Sequence, residues 1–560
     1  MTAVDEARRT AELRGVARAG TISLFGSATS AVLGFALVVQ VSRGLGAAGA
    51  GAFSVVVAVA MTLAVAGRFG TDTALVRMAP RLRALGRTGD IDAAAVAALA
   101  PVFVGTTLLA ATAWWAAPRL ADVVFEHPTP PGAVWLLRVG VATVPLAATG
   151  YVALAVTRGL GSVVPLTIVE SIAKPVLRCA FVAVALAAAD RRWPDAGLAA
   201  GPVLWTTAAW AVPTLLGGVW AAVLAHRALR AVRTDSAAPA TAIPRDADAS
   251  GGTLATWREL WRFATPRAAA SACEIAGMHA GIILVSALAG AAEAGVYNAA
   301  LRLALAGTLA LQALRLAIAP TLARLLTVGD VDGVEHLHRT AAVWITVVSF
   351  PLYLVFAAWP AEVLRLFGPG FAGGGPALAL LAGATLVNLA TGPVSTLLLM
   401  SGRSGLTLAV TAVSLAFGVA LALVLIPRYG VTGAAIAKGA AVIGENVAVT
   451  LLVRRTVGVR TISRPLLGAA LVGGCCFLAP AIAYHLTIGH DRPDFPAAVV
   501  LVLAGTAVYV GLILRRHREL ALADLAAALP LHRLRRPLRG GGRRTATPPT
   551  DGSDASKEYR

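Results

Sequence analysis

Long apolar segments decide which class of fold this chain can adopt. Runs of about 18 or more apolar residues recur along nearly its whole length, each long enough to cross a bilayer as a helix. Barrel strands are shorter and alternate in polarity, so these runs indicate helices, which satisfy their own backbone hydrogen bonds in lipid. Only 14% of the 560 residues are charged, against about 25% in soluble domains. The sequence predicts an all-α integral membrane protein with about 14 transmembrane helices.

Two stretches of the first half return in the second half in the same order. Gly46–Ser54 (GAAGAGAFS) matches Gly290–Asn298 (GAAEAGVYN), and Ala79–Asp92 matches Ala319–Asp332 without a gap. The offset of roughly 240 residues spans about six predicted helices, so both copies have the same orientation in the membrane. We therefore expect two six-helix lobes in parallel repeat plus two C-terminal helices, facing a central cavity as in transporters.

Composition and charge divide the chain into consecutive parts. We predict an N-terminal segment 1–20, an N-lobe 21–225, a linker 226–259, a C-lobe 260–455, two further helices within 465–514 and a basic, partly disordered tail 515–560. Arg residues concentrate in alternate loops, in the linker and near both termini, and the positive-inside rule makes these segments cytoplasmic. We expect a multi-pass protein of the cytoplasmic (plasma) membrane.

The net charge of +19 does not indicate nucleic-acid binding, because no basic patch with interleaved aromatic residues occurs. The four cysteines lie in apolar segments without metal-ligand spacing. Two Asp-x-Asp pairs have the spacing that holds a metal–nucleotide diphosphate in a membrane glycosyltransferase, but helix capping explains both: Asp90/Asp92 and Asp330/Asp332. With no catalytic set or nucleotide loop, we expect neither an enzyme nor a metal site.

Four motifs in order resemble a known family. They are SRGLGAAGAGAFS (Ser42–Ser54), RFGTDTALVR (Arg68–Arg77), GVYNAALRLA (Gly295–Ala304) and LIPRYGVTGAAIA (Leu425–Ala437). Together they are similar to the polysaccharide-exporter branch, the O-antigen and teichuronic-type flippases, of the multidrug/oligosaccharidyl-lipid/polysaccharide flippase superfamily. The resemblance covers about 21–453 and implies a fold like that of MATE transporters.

This resemblance implies transport of undecaprenyl-linked sugar units from the cytoplasmic to the outer leaflet, for polysaccharide and lipopolysaccharide biosynthesis. The expected partners are the lipid-linked oligosaccharide, membrane lipids, and the polymerases and glycosyltransferases of that route. No cofactor is expected, and coupling to H⁺ or Na⁺ is compatible but not required. The alternatives are a MATE-type drug or cation antiporter, and a lipid II flippase, whose cavity arginines do not match here residue by residue.

Charged side chains inside apolar segments are candidates for a functional role, because inserting each one at the bilayer centre costs about 2.5–3.5 kcal/mol of free energy. Glu170, Lys174 and Arg178 recur at i, i+4 and i+8 on one helix face, beside Pro175, which favours a kink. Lys174 and Arg178 are candidate contacts for a lipid diphosphate, with Glu170 as modulator. A Glu170–Lys174 ion pair with a snorkelling Arg178 is the equal alternative. Arg302 is the candidate anion-binding group of the second lobe.

Further charges are candidates for gating or coupling. Arg68 and Asp72 lie at i and i+4, as a gate of the inner mouth or a plain helix-end ion pair. Glu274 is a candidate partner for an arginine or carrier of a coupling proton. Lys438 and Glu445 share a face at i and i+7, as ligands or as interlobe packing. Histidines such as His336 and His338 are expected at loop edges.

Overall fold

A computed structural model describes residues 3–85, 87–127, 129, 132–192, 200–236, 253–461, 463–488 and 495–516. Within these ranges the chain is helical and contains no strand. The central part of the predicted linker and the tail from 517 onward lie outside the described residues. The predicted all-α class is confirmed.

The first half forms helices α1 to α9 with one π-helical turn. Their bounds are α1 Ala3–Ala66, α2 Thr71–Ala84, α3 Gly89–Trp115, α4 Ala117–Val124, α5 Ala133–Ala142, α6 Val144–Gly159, α7 Val164–Leu166, the π turn Thr167–Ala173, α8 Lys174–Arg192 and α9 Ala200–Ser236. Helix α6 packs against α2, α3 and α9, and α8 packs against α9. These helices form the first lobe.

The second half forms helices α10 to α19. Their bounds are α10 Thr253–Ala289, α11 Ala291–Ala306, α12 Leu309–Thr327, α13 Val331–Ala358, α14 Pro360–Leu364, 3₁₀ turns Arg365–Phe367 and Pro369–Gly374, α15 Gly375–Ala390, α16 Val394–Met400, α17 Ser404–Thr456, α18 Arg464–Ile488 and α19 Phe495–Arg515. Helix α17 packs against α10, α15 and α16 in the second lobe. The two last helices lie outside it, α18 on α13 and α19 on α18.

Eleven helical stretches of the described chain are long and apolar enough to cross a membrane. Two of them each contain a glycine with a non-helical backbone, Gly46 (φ 66°) in α1 and Gly430 (φ 52°) in α17. A positive φ is open to glycine at little steric cost, so the chain bends there without ending its hydrogen-bonded run. Because a bent stretch counts once, this number does not test the predicted count of about 14 spans.

Helix bounds extend into segments predicted to be connections. Helix α1 starts at Ala3, inside the predicted N-terminal segment, while α9 runs to Ser236 and α10 starts at Thr253, inside the predicted linker. The first turns of α10 pack with the first lobe, since Leu260 and Ala264 are buried with residues of α2, α3 and α6. Helix α10 therefore joins the two lobes.

The repeated sequences meet where α1 of the first lobe crosses α11 of the second. A β-carbon at Gly51 would overlap the carbonyl of Ala291 and lie 2.8 Å from the nitrogen of Gly295. Reciprocally, a β-carbon at Gly295 would overlap the carbonyl of Ala47 and lie 3.0 Å from the nitrogen of Gly51. Small residues allow such close helix contact in membranes. We call this contact, Ala47–Ser54 against Ala291–Asn298, the glycine seam.

Polar contacts reinforce the glycine seam. Asn298 Nδ2 donates to Ser54 Oγ at 2.9 Å, and these two residues occupy equivalent repeat positions, 244 apart. Arg43 Nε donates to the carbonyl of Leu366 at 2.8 Å, joining the same two lobes. Equivalent residues that touch each other across a boundary indicate a pseudo-twofold axis passing between them. The predicted parallel repeat is therefore present in the packing.

Candidate functional site

A cavity of about 340 Å³ lies between the two lobes, bordered by the glycine seam. Helices α1, α8 and α9 line it from the first lobe, and α10 and α11 from the second. No aspartate or glutamate of the described chain lines it; its charged and polar side chains are Ser30, Ser42, Ser54, Arg178, His279, Asn298 and Arg302. We call this space the central cavity.

Arg178 is held at the wall of the central cavity by α9. Its Nη2 donates to Thr214 Oγ1 at 2.9 Å, and its guanidinium lies over the Trp210 ring, 5.0 Å from the centroid. Its Nε is buried and has no hydrogen-bond partner among the described residues. The side chain is thus oriented by neutral partners, and it forms no ion pair among the described residues, although Glu170 interacts with it at longer electrostatic range.

Arg302 reaches the same cavity from α11 of the second lobe. Its side chain is exposed to the cavity and pairs with no carboxylate among the residues that the structure describes. A guanidinium offers planar, bidentate donors for phosphate oxygens. The structure brings Arg178 and Arg302, predicted from separate segments, to one cavity from opposite lobes.

Lys174 has a different environment. Its Nζ lies 2.7 Å from Glu170 Oε1, with the two side chains 6% and 23% exposed, and its methylenes pack on Gly217 of α9. The π-helical turn Thr167–Ala173 directly precedes it, so Pro175 follows a widened turn. Lys174 does not line the central cavity. The ion-pair alternative is present, and a role of Lys174 as ligand stays a prediction.

Replacing Lys174 with alanine is expected to lower the free energy of unfolding by roughly 3 kcal/mol, because Glu170 would keep an unpaired charge in a mostly buried site. The double replacement Glu170→Gln with Lys174→Met removes both charges and is expected to recover most of the loss. Thermal unfolding of the purified protein measures both effects. A stable Lys174→Ala variant would contradict the importance of the pair.

Arg68 and Asp72 do not share a continuous helix. The chain turns at 67–70, where Phe69 (φ 50°) and Gly70 (φ 71°) separate the end of α1 from the start of α2. The Arg68 guanidinium lies over the Tyr151 ring, 3.7 Å from its centroid, and interacts with Asp72 only at longer electrostatic range. The i,i+4 ion pair expected from spacing is therefore not formed, because its helix is interrupted.

The remaining predicted charges lie together in the second lobe. A cavity of about 420 Å³ between α10, α11, α12, α16 and α17 is lined by these three residues, Glu274, Lys438 and Glu445, and also by Arg315. We call it the C-lobe cavity. Lys438 Nζ donates to the carbonyl of Gly277 at 3.0 Å. Acidic and basic side chains share this cavity, and this arrangement does not assign a role to any one of them. Their gating or coupling roles therefore stay predictions.

The carboxylates of the C-lobe cavity have partners. Glu445 Oε1 accepts from Thr411 Oγ1 at 2.9 Å. Glu274 faces Arg267 through two contacts of 3.4 Å, with the Arg267 and Glu274 side chains 38% and 60% exposed. The expected pairing of Glu274 with an arginine is present, along the turns of α10 that follow Pro266.

The expectation that histidines lie at loop edges is wrong for His338, which is fully buried inside α13. His336 is exposed in the second turn of the same helix. Sequence reasoning also missed His279 of α10, which is 7% exposed, lines the central cavity and lies 3.4 Å from Thr62 Oγ1 through Nδ1. Counting His279 as a polar group inside an apolar segment would have found it.

The two Asp-x-Asp pairs differ. Asp330 caps α13, its side chain accepting from the backbone nitrogen of Gly333 at 2.8 Å, as predicted. Asp90 and Asp92 lie inside the first turn of α3 and pair instead with Arg87 and Arg233, each at 2.6 Å. Capping was therefore the wrong explanation for the first copy. No group of three or more metal-ligating side chains occurs among the described residues.

Comparison with known proteins gives the fold. No family model and no curated protein sequence matches the chain. It is similar to a structure of the lipid II flippase MurJ in an inward closed conformation, at 12% identity and TM-score 0.65, over 89% of this chain and 99% of that one. It is also similar to an inward-facing MATE multidrug resistance transporter of the MOP superfamily, at 15% and 0.59, over 77% and 94%.

A third similar structure is a point mutant of the Vibrio cholerae MATE transporter VcmN, at 14% identity and TM-score 0.51, over 81% of this chain and 98% of that one. Identities this low are informative about the fold alone. The predicted two-lobed, MATE-like helical fold is confirmed, and the chain spans nearly the full length of these structures.

Proposed function

We propose that this protein is a flippase for undecaprenyl-diphosphate-linked oligosaccharides of polysaccharide biosynthesis, working by alternating access in the cytoplasmic membrane. One observation carries the proposal: two arginines, Arg178 and Arg302, approach the central cavity from opposite lobes, and no carboxylate of the described chain lines it. Such a cavity attracts an anion and repels a cation. The proposal assigns transport rather than catalysis.

The chemistry of the ligand fits these groups. A prenyl-diphosphate sugar carries about two negative charges, which must leave water to cross a low-dielectric layer. Arg178 and Arg302 replace part of that hydration with charge-assisted hydrogen bonds. Ser54 and Asn298, which also line the cavity, offer neutral hydrogen-bond groups for sugar hydroxyls. The prenyl chain remains in the lipid.

A lipid II flippase is the second candidate, favoured by the likeness to the MurJ structure. Lipid II carries the same prenyl diphosphate, so both candidate functions would use the same anion-binding site, and their substrates differ only in the sugar. The third reading, a MATE-type cation antiporter, agrees with the fold but not with the charge of the central cavity. The acidic groups Glu274 and Glu445 lie instead in the C-lobe cavity.

Alternating access assigns roles to the two lobe contacts. The glycine seam joins the lobes beside the central cavity, and at the predicted cytoplasmic end Arg81 of α2 pairs with Glu259, in the turns of α10 that pack on the first lobe. We infer that the seam opens for release to the outer leaflet. Arg68 and Asp72 lie near the α2–α10 contact as candidate gate residues. Lys438, Glu274 and Glu445 are candidate coupling groups for H⁺ or Na⁺.

The test is transport by the purified protein in proteoliposomes. A fluorescent undecaprenyl-diphosphate oligosaccharide is loaded in both leaflets, and its accessibility to an impermeant quencher is followed over time. We expect protein-dependent exchange that unlabelled substrate competes, and weaker competition by lipid II. Stronger competition by lipid II would favour the second candidate. Export of a cationic dye without exchange of the lipid would refute the proposal.

A further inference from the structure

A small basic slot lies between α18 and α19, apart from the central cavity and the C-lobe cavity. It has a volume of about 200 Å³ and is formed where α18 begins and α19 ends. Arg464 and Arg516 flank it, and small or apolar residues, among them Gly468, Val472 and Ile513, form its floor. We call it the α18–α19 slot.

The charges of the α18–α19 slot are of one sign. No aspartate or glutamate of the described chain lines it, and neither Arg464 nor Arg516 forms an ion pair within the described residues. The Arg516 guanidinium extends across α18 at Gly468, where an added β-carbon would lie 3.5 Å from Nη1. Two like charges at one slot repel each other, and an anion bound between them would offset that repulsion.

The α18–α19 slot is surrounded by exposed apolar side chains of the kind that contact lipid. Both helices pack on the outside of the second lobe, and Leu467, Leu471 and Leu514 beside the slot are exposed. The volume lies below the roughly 300–1,000 Å³ of sites for drug-sized ligands, so it suits a single phosphate group better than an oligosaccharide. Basic pockets between transmembrane helices at the cytoplasmic side bind acidic lipid head groups.

We propose that the α18–α19 slot binds the phosphate of an anionic phospholipid from the leaflet at the predicted cytoplasmic side. Arg464 and Arg516 contact the phosphate oxygens, and the acyl chains lie along the exposed leucines of α18 and α19. This site is independent of the proposed transport function, since neither helix lines the central cavity. Bound lipid would fasten the end of α19 to the start of α18.

The test measures lipid binding to the full chain in detergent by native mass spectrometry, with phosphatidylglycerol and phosphatidylcholine as probes. We expect the wild type to prefer phosphatidylglycerol. Arg464→Gln or Arg516→Gln is expected to weaken its binding about fivefold, and the double variant more than either single variant but less than about 25-fold, because both arginines contact one phosphate. The matched control is Arg454→Gln with Arg455→Gln, two exposed arginines at the end of α17 that do not line the slot. It should keep the preference.

A second variant, Gly468→Leu, keeps both arginines and fills the slot, so it should weaken phosphatidylglycerol binding even if a charge variant folds poorly. Equal lipid preference in the double variant and its control would overturn the proposal. So would displacement of the lipid by millimolar inorganic phosphate, which indicates a free-anion site. Stronger binding of undecaprenyl diphosphate than of cardiolipin, a phospholipid whose two phosphates give it a comparable charge, would instead assign the slot to the transported lipid and refute the phospholipid.

Discussion

Gly51→Val and Gly295→Val are each expected to abolish flipping while the protein still folds and inserts. The added β-carbon overlaps a backbone carbonyl of the opposing helix, which no change of rotamer relieves. The lobes must therefore separate at the glycine seam. Overpacking of this kind costs ~1–3 kcal/mol or more, which lowers the population of the closed state by about fivefold at the lower end and more than 100-fold at the upper end. The transport assay in proteoliposomes measures the loss.

Opening of the seam is measured separately by labelling a single cysteine at Val57, which lines the central cavity. Both glycine variants should raise labelling by an impermeant maleimide added from the outer side. The control is Gly511→Val in α19, where the added β-carbon meets no atom within 4 Å. Wild-type labelling in Gly51→Val would show that the added side chain does not open the seam, and raised labelling with wild-type transport would show that closure of the seam is not needed.

The fold could be predicted because its internal repeat is visible directly in the amino-acid sequence. Once Gly46–Ser54 and Gly290–Asn298 are recognised as copies with equal orientation, the two lobes and their pseudo-twofold axis follow. The glycine seam itself was not predicted. A small residue in a membrane helix is common, and only the crossing of α1 with α11 distinguishes Gly51 and Gly295 from the chain's other glycines.

Spacing predicted an ion pair where the helical run is continuous and failed where a turn interrupts it. Glu170 and Lys174 meet as an i,i+4 pair, as their spacing indicates. Arg68 and Asp72 have the same spacing, but the left-handed backbone at Phe69 and Gly70 interrupts the helix between them. Nothing in a hydropathy pattern reveals such a turn within a continuous apolar segment. Spacing alone therefore cannot assign ion pairs near helix ends.

Arg178 and Arg302 line the same cavity only because the tertiary structure brings their helices together. Arg178 was predicted with Lys174 because all three charges of its segment recur at helical spacing, yet Lys174 turns to Glu170 and packs on Gly217. Arg178 instead contacts Trp210 and Thr214 of α9, which fix it toward the central cavity. A cation left unpaired at a cavity wall is the better indicator of a ligand than the stripe itself.

Arg178→Gln and Arg302→Gln are each expected to reduce substrate affinity by about 10-fold or more, because a charge-assisted hydrogen bond contributes roughly 1.5–3 kcal/mol. Glutamine retains a donor for Thr214 at position 178, so folding should be preserved. If both arginines grip one diphosphate, the double variant should lose less than the sum of the two single losses. Binding of the fluorescent lipid-linked oligosaccharide and its rate of flipping are both measured.

Arg138→Gln is the matched control for these variants, since Arg138 also lies in a first-lobe helix, stacks over Trp135 at 4.9 Å and lines neither cavity. Its affinity for the lipid should equal that of the wild type. Losses that add fully would mean that the two arginines contact separate parts of the ligand. Normal folding with full transport in both single variants would refute an anion-binding site in the central cavity. No other lysine or arginine of the described chain lines that cavity.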